Sequence, residues 1–211
     1  ETLMTNSVPV IVQLPSLDAS QVARSVTALR AVVAEAAAHQ VEAVLIPHAE
    51  APGFDPTVLA GLVSAEASAV PLLVEARTGR NAPYNLARRI QTLARVTGGR
   101  AGVYVRDTGV DPLTVAGRPA TAAKTHVLDE YVRVLRLLWD SFPESALLGD
   151  RDAGLFADAA QIAPPRHQGE IYGVAGALNV PIAPEQRPVV LVDAGSVDGD
   201  APVDALIDQG G

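Results

Sequence analysis

The chain has no cysteine, which excludes disulfides, thiolate nucleophiles and thiolate zinc sites. Histidine is scarce, at positions 39, 48, 126 and 167 only, without the spacing of a metal site, so no metal is expected. Positive charge is also short. Sixteen Lys and Arg against 24 Asp and Glu leave a net charge of −8, and a partner such as duplex nucleic acid is excluded for want of a basic patch. No apolar run approaches the roughly 18 residues of a membrane span. Aromatic residues make up 4% of the chain while hydrophobic residues make up 48%. The core must therefore be Ala, Val and Leu, which suits parallel strands buried under Ala-rich helices. The glycine fingerprints of dinucleotide and P-loop sites are missing, and Gly98-Gly99 follows a helical pattern rather than a strand. Glu1–Ser7 has neither a basic nor an apolar signal region, which predicts no secretory signal and points to the cytoplasm.

What is present alternates. Val8–Leu14, Val41–Ile46, Val70–Ala76, Ala101–Arg106 and Pro188–Val192 are short apolar runs of strand type. Between them, helical spacing predicts helices over Ala19–Gln40 (capped by Ser16-Leu17-Asp18), Pro56–Ser68 and Pro83 to the Gly98-Gly99 stop. A fourth helix is expected over Val127–Phe142, with Leu128, Tyr131, Val134, Leu135 and Leu138 on one face. Gly109–Thr121 is a Pro/Gly-rich loop, Pro143–Arg187 an irregular excursion dense in Gly and Pro, and Pro202–Asp208 a last short helix.

Strict β-α alternation with apolar strands predicts an α/β fold with one parallel sheet. A partial or truncated TIM-barrel-like (β/α) arrangement fits best, because five units are too few to close eight strands. The expected organisation is one domain over residues 1–211, with 143–187 as the excursion. Uncovered sheet edges and helix faces predict a homo-oligomer or a tight partner contact, through the 127–142 helix or an earlier one.

Two stretches carry a resemblance. Residues 81–100 read NAPYNLARRIQTLARVTGGR; residues 131–195 contain LLWDSF, ALLGDRDAGLFAD, HQGEIYGVAGALNVP and EQRPVVLVDAG in that order. Both are similar in order and spacing to the bacterial luciferase-like flavin-dependent monooxygenases, in the branch with nitrilotriacetate and dibenzothiophene-sulfone monooxygenases. The resemblance implies an oxidoreductase of TIM-barrel-like fold that holds reduced FMN at the C-terminal ends of the strands, reacts with oxygen and is served by a separate flavin reductase. It places Tyr84, Arg88, Ser196 and Gly199 on the cofactor's phosphate side. Other positions depart from the family's residues: His48, Glu75, Ala82, Tyr104, Asp107 and Val197. Their carboxylates would face a phosphate, and the Tyr104 ring would lie where an isoalloxazine belongs. Weak flavin binding by the chain alone is the expectation.

His48, Glu75 and Tyr104 are the catalytic candidates. Strand alternation puts Glu75 and Arg77 on one face, and Tyr104 and Arg106 likewise. Together they form either a substrate or anion site, or an internal ion-pair plug, since buried charges are normally paired. His48 at a strand end is either a general base or a loop histidine. Arg88 and Arg89 either touch phosphate or pair along the helix surface. His167 either orders the excursion or acts in catalysis, and Trp139 is core. Three functions stay open: an active flavin monooxygenase with an atypical pocket, a non-catalytic luciferase-like subunit paired with an active one or another partner, and a small-molecule binder that has lost flavin binding.

Overall fold

The computed structural model describes residues 11–14, 22–39, 41–49, 53–65, 70–107, 124–182, 185 and 187–208. The expected signal-free N-terminus, the Ser16–Asp18 cap and the Gly109–Thr121 loop lie outside them, whereas the second helix, expected to reach Ser68, ends within them at Val63, with Ser64 as its C-cap.

Strands β1 (Ile11–Gln13), β2 (Ala43–Ile46), β3 (Leu72–Arg77) and β4 (Ala101–Arg106) alternate with helices α1 (Val22–Ala38), α2 (Pro56–Val63) and α3 (Pro83–Thr97). Helix α4 (Lys124–Trp139) follows. Two small antiparallel ribbons come next: β5 (Leu147–Asp150) with β6 (Leu155–Ala157), and β7 (His167–Gln168) with β8 (Gly173–Val174). The chain then returns through β9 (Val189–Asp193) to β10 (Ala205–Ile207). The main sheet is wholly parallel, in the order β1-β2-β3-β4-β9-β10. It is the expected partial barrel, with six strands instead of five.

The sixth strand is a correction. Residues 202–208 form no helix; Ala205–Ile207 pair in parallel with Leu191–Asp193. The reason lies outside the segment. The Asp204 carboxylate accepts the Val190 N–H (2.6 Å) and a bond from Arg136 (2.5 Å), while the Asp204 N–H donates to the Val190 carbonyl (2.9 Å). These bonds lay the segment along β9.

Local chemistry explains the other boundaries. Asp55 caps α2 by accepting the Thr57 N–H (2.8 Å), with Pro56 at the first helical position. Helix α3 starts at Pro83 and stops at Gly98, where φ is 63°, a left-handed conformation that favours glycine. At Gly102 a Cβ would lie 2.4 Å from Val189 Cγ2 and 2.8 Å from the Val189 carbonyl oxygen, so only glycine lets β4 and β9 approach this closely.

The helices cover the outer face of the sheet, where Val44, Ile46, Leu72, Val74, Val103, Val105, Val190 and Val192 are buried. The inner face holds a smaller cluster of Ala43, Leu45, Leu73, Tyr104 and Leu191. Ile11 and Ile207, from opposite edges of the sheet, both pack against it, so the sheet is strongly curled. Both edges line one apolar cavity of about 380 Å³. Among the described residues no helix is long and apolar enough to cross a membrane.

The excursion is pinned to α4 by Glu130. Its carboxylate accepts the N–H groups of Ile171 (2.9 Å) and Tyr172 (2.8 Å) and lies 3.0 Å from His167 Nε2. A Cβ at Gly169 would sit 2.0 Å from Glu130 Oε1, which accounts for the His-x-Gly spacing.

Candidate functional site

The C-terminal ends of β3, β4 and β9 form the barrel mouth, the place where chemistry sits in barrels generally. In register, Glu75 lies beside Tyr104 and Arg77 beside Arg106. The Glu75 carboxylate accepts from Arg77 Nε (3.2 Å) and from the His48 backbone N–H (3.2 Å), with Arg106 at 3.9 Å. The Tyr104 hydroxyl donates to Asp193, whose other oxygen accepts from Arg106 Nε (3.2 Å). The Arg106 guanidinium lies 5.6 Å from the centre of the Tyr104 ring. Glu75 is 5% exposed and Tyr104 2%. Strand alternation thus brings together the four residues expected to meet, and Asp193 joins them as a fifth that sequence patterning does not reveal. Both Glu75 oxygens are engaged and the Tyr104 hydroxyl is committed, so neither is a free base, although Glu75 also borders a cavity. The charges tolerate burial because each is paired and hydrogen-bonded.

The residues assigned to a cofactor phosphate line no described cavity together. Ser196, in the turn after β9, donates its hydroxyl to the Asp193 carbonyl (2.6 Å). Gly199 is exposed in the same turn, and Val197 packs against the main core. Tyr84, in the first turn of α3, is half-buried against that core. Arg88 points elsewhere, into a cavity of about 570 Å³ above β2 and β3 that His48, Glu75 and Ala82 also line and Ser196 and Gly199 do not. His167 is held by Glu130 in the excursion, and Trp139 is fully buried, its Nε1–H donating to the Ala87 carbonyl (3.0 Å). Arg89 pairs with Asp55.

A family model described as luciferase-like monooxygenase matches residues 10–200. The chain belongs to this family. Among its luciferase-like relatives, one of the subunits of pristinamycin IIA synthase from Streptomyces pristinaespiralis is 31% identical over 181 residues, covering 84% of this chain and 61% of that protein. Nitrilotriacetate monooxygenase component A of Aminobacter aminovorans is 33% identical over 151 residues, covering 68% and 32%. The solved structure of DmoA from Hyphomicrobium sulfonivorans superposes with a TM-score of 0.69 at 23% identity, covering 86% of this chain and 46% of that one. The chain therefore spans about a third of the nitrilotriacetate relative and about half of the solved structure. Luciferase-like membership implies a flavin.

The residues at the mouth do not fit one. A flavin phosphate carries a charge of about −2 and needs N–H donors or cations. The end of β9 and the turn after it offer Asp193, Asp198 and Asp200 instead, and the Ser196 hydroxyl there is already used. The crowding of like charge there is visible at Asp129 on α4, which accepts the Asp198 N–H (3.2 Å). Burial, with the nearby Asp198 and Asp200, raises its carboxyl above the ordinary value of 3.8. A carboxyl raised in the folded state binds protons more readily folded than unfolded, so it costs stability as pH rises above 3.8. Asp129→Asn removes that cost. The variant should gain on the wild type in urea unfolding at pH 7 relative to pH 4; a gain confined to pH 4 would refute the raised carboxyl.

Proposed function

We propose that this chain is a subunit of a flavin-dependent monooxygenase of the luciferase-like type, and that it does not itself hold the flavin. Reduced FMN, delivered by a separate flavin reductase, supplies the oxygen chemistry on a paired luciferase-like subunit or in the assembled oligomer. One observation carries this reading: the Glu75–Arg77 pair and the Tyr104–Asp193–Arg106 network occupy the strand ends where the family resemblance would place a flavin ring. The pristinamycin IIA synthase relative is by name one subunit of a larger enzyme and aligns with 84% of this chain, which supports a role as one part of an assembly.

The test is a fluorescence titration of the purified chain with FMN, oxidised and reduced, beside an active family member. Losing two hydrogen bonds to a charged group costs roughly 3–6 kcal/mol. Affinity should therefore be at least about a hundredfold weaker than in the active member. Comparable micromolar binding would sink the proposal and restore an active enzyme. Size-exclusion chromatography with a co-expressed luciferase-like partner should give a joint peak that carries flavin.

A further inference from the structure

At the opposite end of the barrel from the mouth, the inner face of the sheet walls the cavity of about 380 Å³. The wall is mostly hydrocarbon: Ala43 and Leu73 from β2 and β3, Val189 and Leu191 from β9, and Ile11 and Ile207 from the two sheet edges. Ile11, Ala43 and Val189 are the first residues of their strands, so the cavity lies at the N-terminal ends. Glu75, Arg77, Tyr104 and Arg106 lie toward the C-terminal ends and do not line it.

Two charged residues belong to this lining, Arg100 and Glu42, and strand alternation separates them. On β4, Ala101, Val103 and Val105 join the outer core, while Tyr104 joins the inner cluster. Arg100, directly before β4, therefore shares the inner face with Tyr104. On β2, Val44 and Ile46 face outward, so Glu42 falls on the outer face, and it is exposed to solvent that screens its charge. Arg100 is half-buried, and its Nε is buried without a hydrogen-bond partner. Its guanidinium makes no hydrogen bond or ion pair among the described residues. Its main chain is fixed: the Arg100 carbonyl accepts the Leu72 N–H (3.0 Å). A buried cationic donor without an acceptor is costly, and an anion seated in the cavity would supply the acceptor.

We infer that this cavity binds a small apolar monocarboxylate, with its hydrocarbon body against the inner-face side chains and its carboxylate on the Arg100 guanidinium. The guanidinium fork matches a carboxylate bidentately. One cation answers one negative charge, whereas a phosphate of charge about −2 would need a second. The volume falls at the lower end of the range for ligand pockets, roughly 300–1,000 Å³, which limits the ligand to a short chain or a single ring. The assignment goes beyond the flavin reading and does not rest on it, because the two sites lie at opposite ends of the strands.

Isothermal titration calorimetry of the whole chain with octanoate, and with octan-1-ol as the same tail without the charge, tests it. Octanoate should bind saturably, one to one, about tenfold or more tighter than octan-1-ol. Arg100→Gln should weaken octanoate about tenfold and leave octan-1-ol unchanged, a difference that general loosening of the fold would not produce. Ala43→Leu fills the cavity and should weaken both. If circular dichroism shows that variant disturbed, Ala205→Leu, on the exposed edge strand and in the same lining, takes its place. Arg151→Gln on a remote exposed turn should change nothing. No saturable octanoate binding up to about 5 mM, beyond any useful affinity, overturns the site, as does equal binding of acid and alcohol, or binding that ignores both Arg100→Gln and the filling variant. Sedimentation velocity closes the test: self-association that excludes octanoate would give the cavity to a second copy of the chain and overturn the ligand assignment.

Discussion

Trp139→Ala should destabilise the protein by about 3–5 kcal/mol, a large part of the roughly 5–15 kcal/mol that holds a typical domain folded. Trp139 is completely buried at the end of α4, and its indole N–H donates to the Ala87 carbonyl on α3 (3.0 Å). The Arg136 guanidinium lies 5.8 Å from its ring centre. Truncation removes the largest side chain between α3 and α4 and leaves a buried carbonyl without its donor. Urea unfolding followed by circular dichroism measures the loss. Trp139→Phe separates the two contributions: it keeps most of the ring volume, so its smaller loss, about 1–3 kcal/mol, reports mainly the missing hydrogen bond. A loss below about 1 kcal/mol for Trp139→Ala, in the range of ordinary surface changes, would show that α3 and α4 do not pack as described.

The second large effect belongs to Glu130. Replacing it with alanine leaves the Ile171 and Tyr172 amides and the His167 ring without their shared acceptor. Each orphaned group costs roughly 1–3 kcal/mol. The consequence should be local, because the bonds tie the excursion to α4 and do not cross the main sheet. Hydrogen exchange should show the amides of residues 167–174 losing protection by a factor of about a hundred or more. The amides of β3 and β4 should keep most of theirs. Glu130→Gln retains one acceptor oxygen and should fall between. Uniform loss of protection across the whole chain would mean that the excursion is part of the global unfolding unit.

Much of the fold was legible from periodicity. The run Ala101–Arg106 is an apolar β-branched segment between a glycine stop and a loop, and it is β4 to the residue. The helix starting at Pro83 was marked at both ends by its proline and its paired glycines. Strand β10 was not legible, because three residues carry no period, and their conformation is decided by Asp204 reaching Val190 on a neighbouring strand. The candidate site divides in the same way. Period-two alternation puts Glu75 with Arg77 and Tyr104 with Arg106, and the parallel register aligns the two pairs. Asp193 is separated from Tyr104 by 89 positions, and nothing local to it announces the contact. Arg88 was visible as a cation near a helix start, but its companion in space is Arg80 in the preceding turn, not Ser196 or Gly199. Glu130 gave no signal at all: a lone carboxylate in mid-helix is usually solvated, and only the tertiary fold shows the amides it holds.

The Tyr104–Asp193–Arg106 contact has an evolutionary consequence. Replacing Tyr104 alone with a small amide would take one of two donors from the half-buried Asp193 carboxylate and remove the ring on which Arg106 rests. Neutralising Asp193 alone would leave the phenol without its charged acceptor and Arg106 with only the more distant Glu75, at 3.9 Å. Each single step toward an open mouth passes through a less stable protein, and the two steps must occur in distant parts of the gene. Neither residue can therefore be replaced cheaply without the other, and the pair acts as a ratchet against single substitutions.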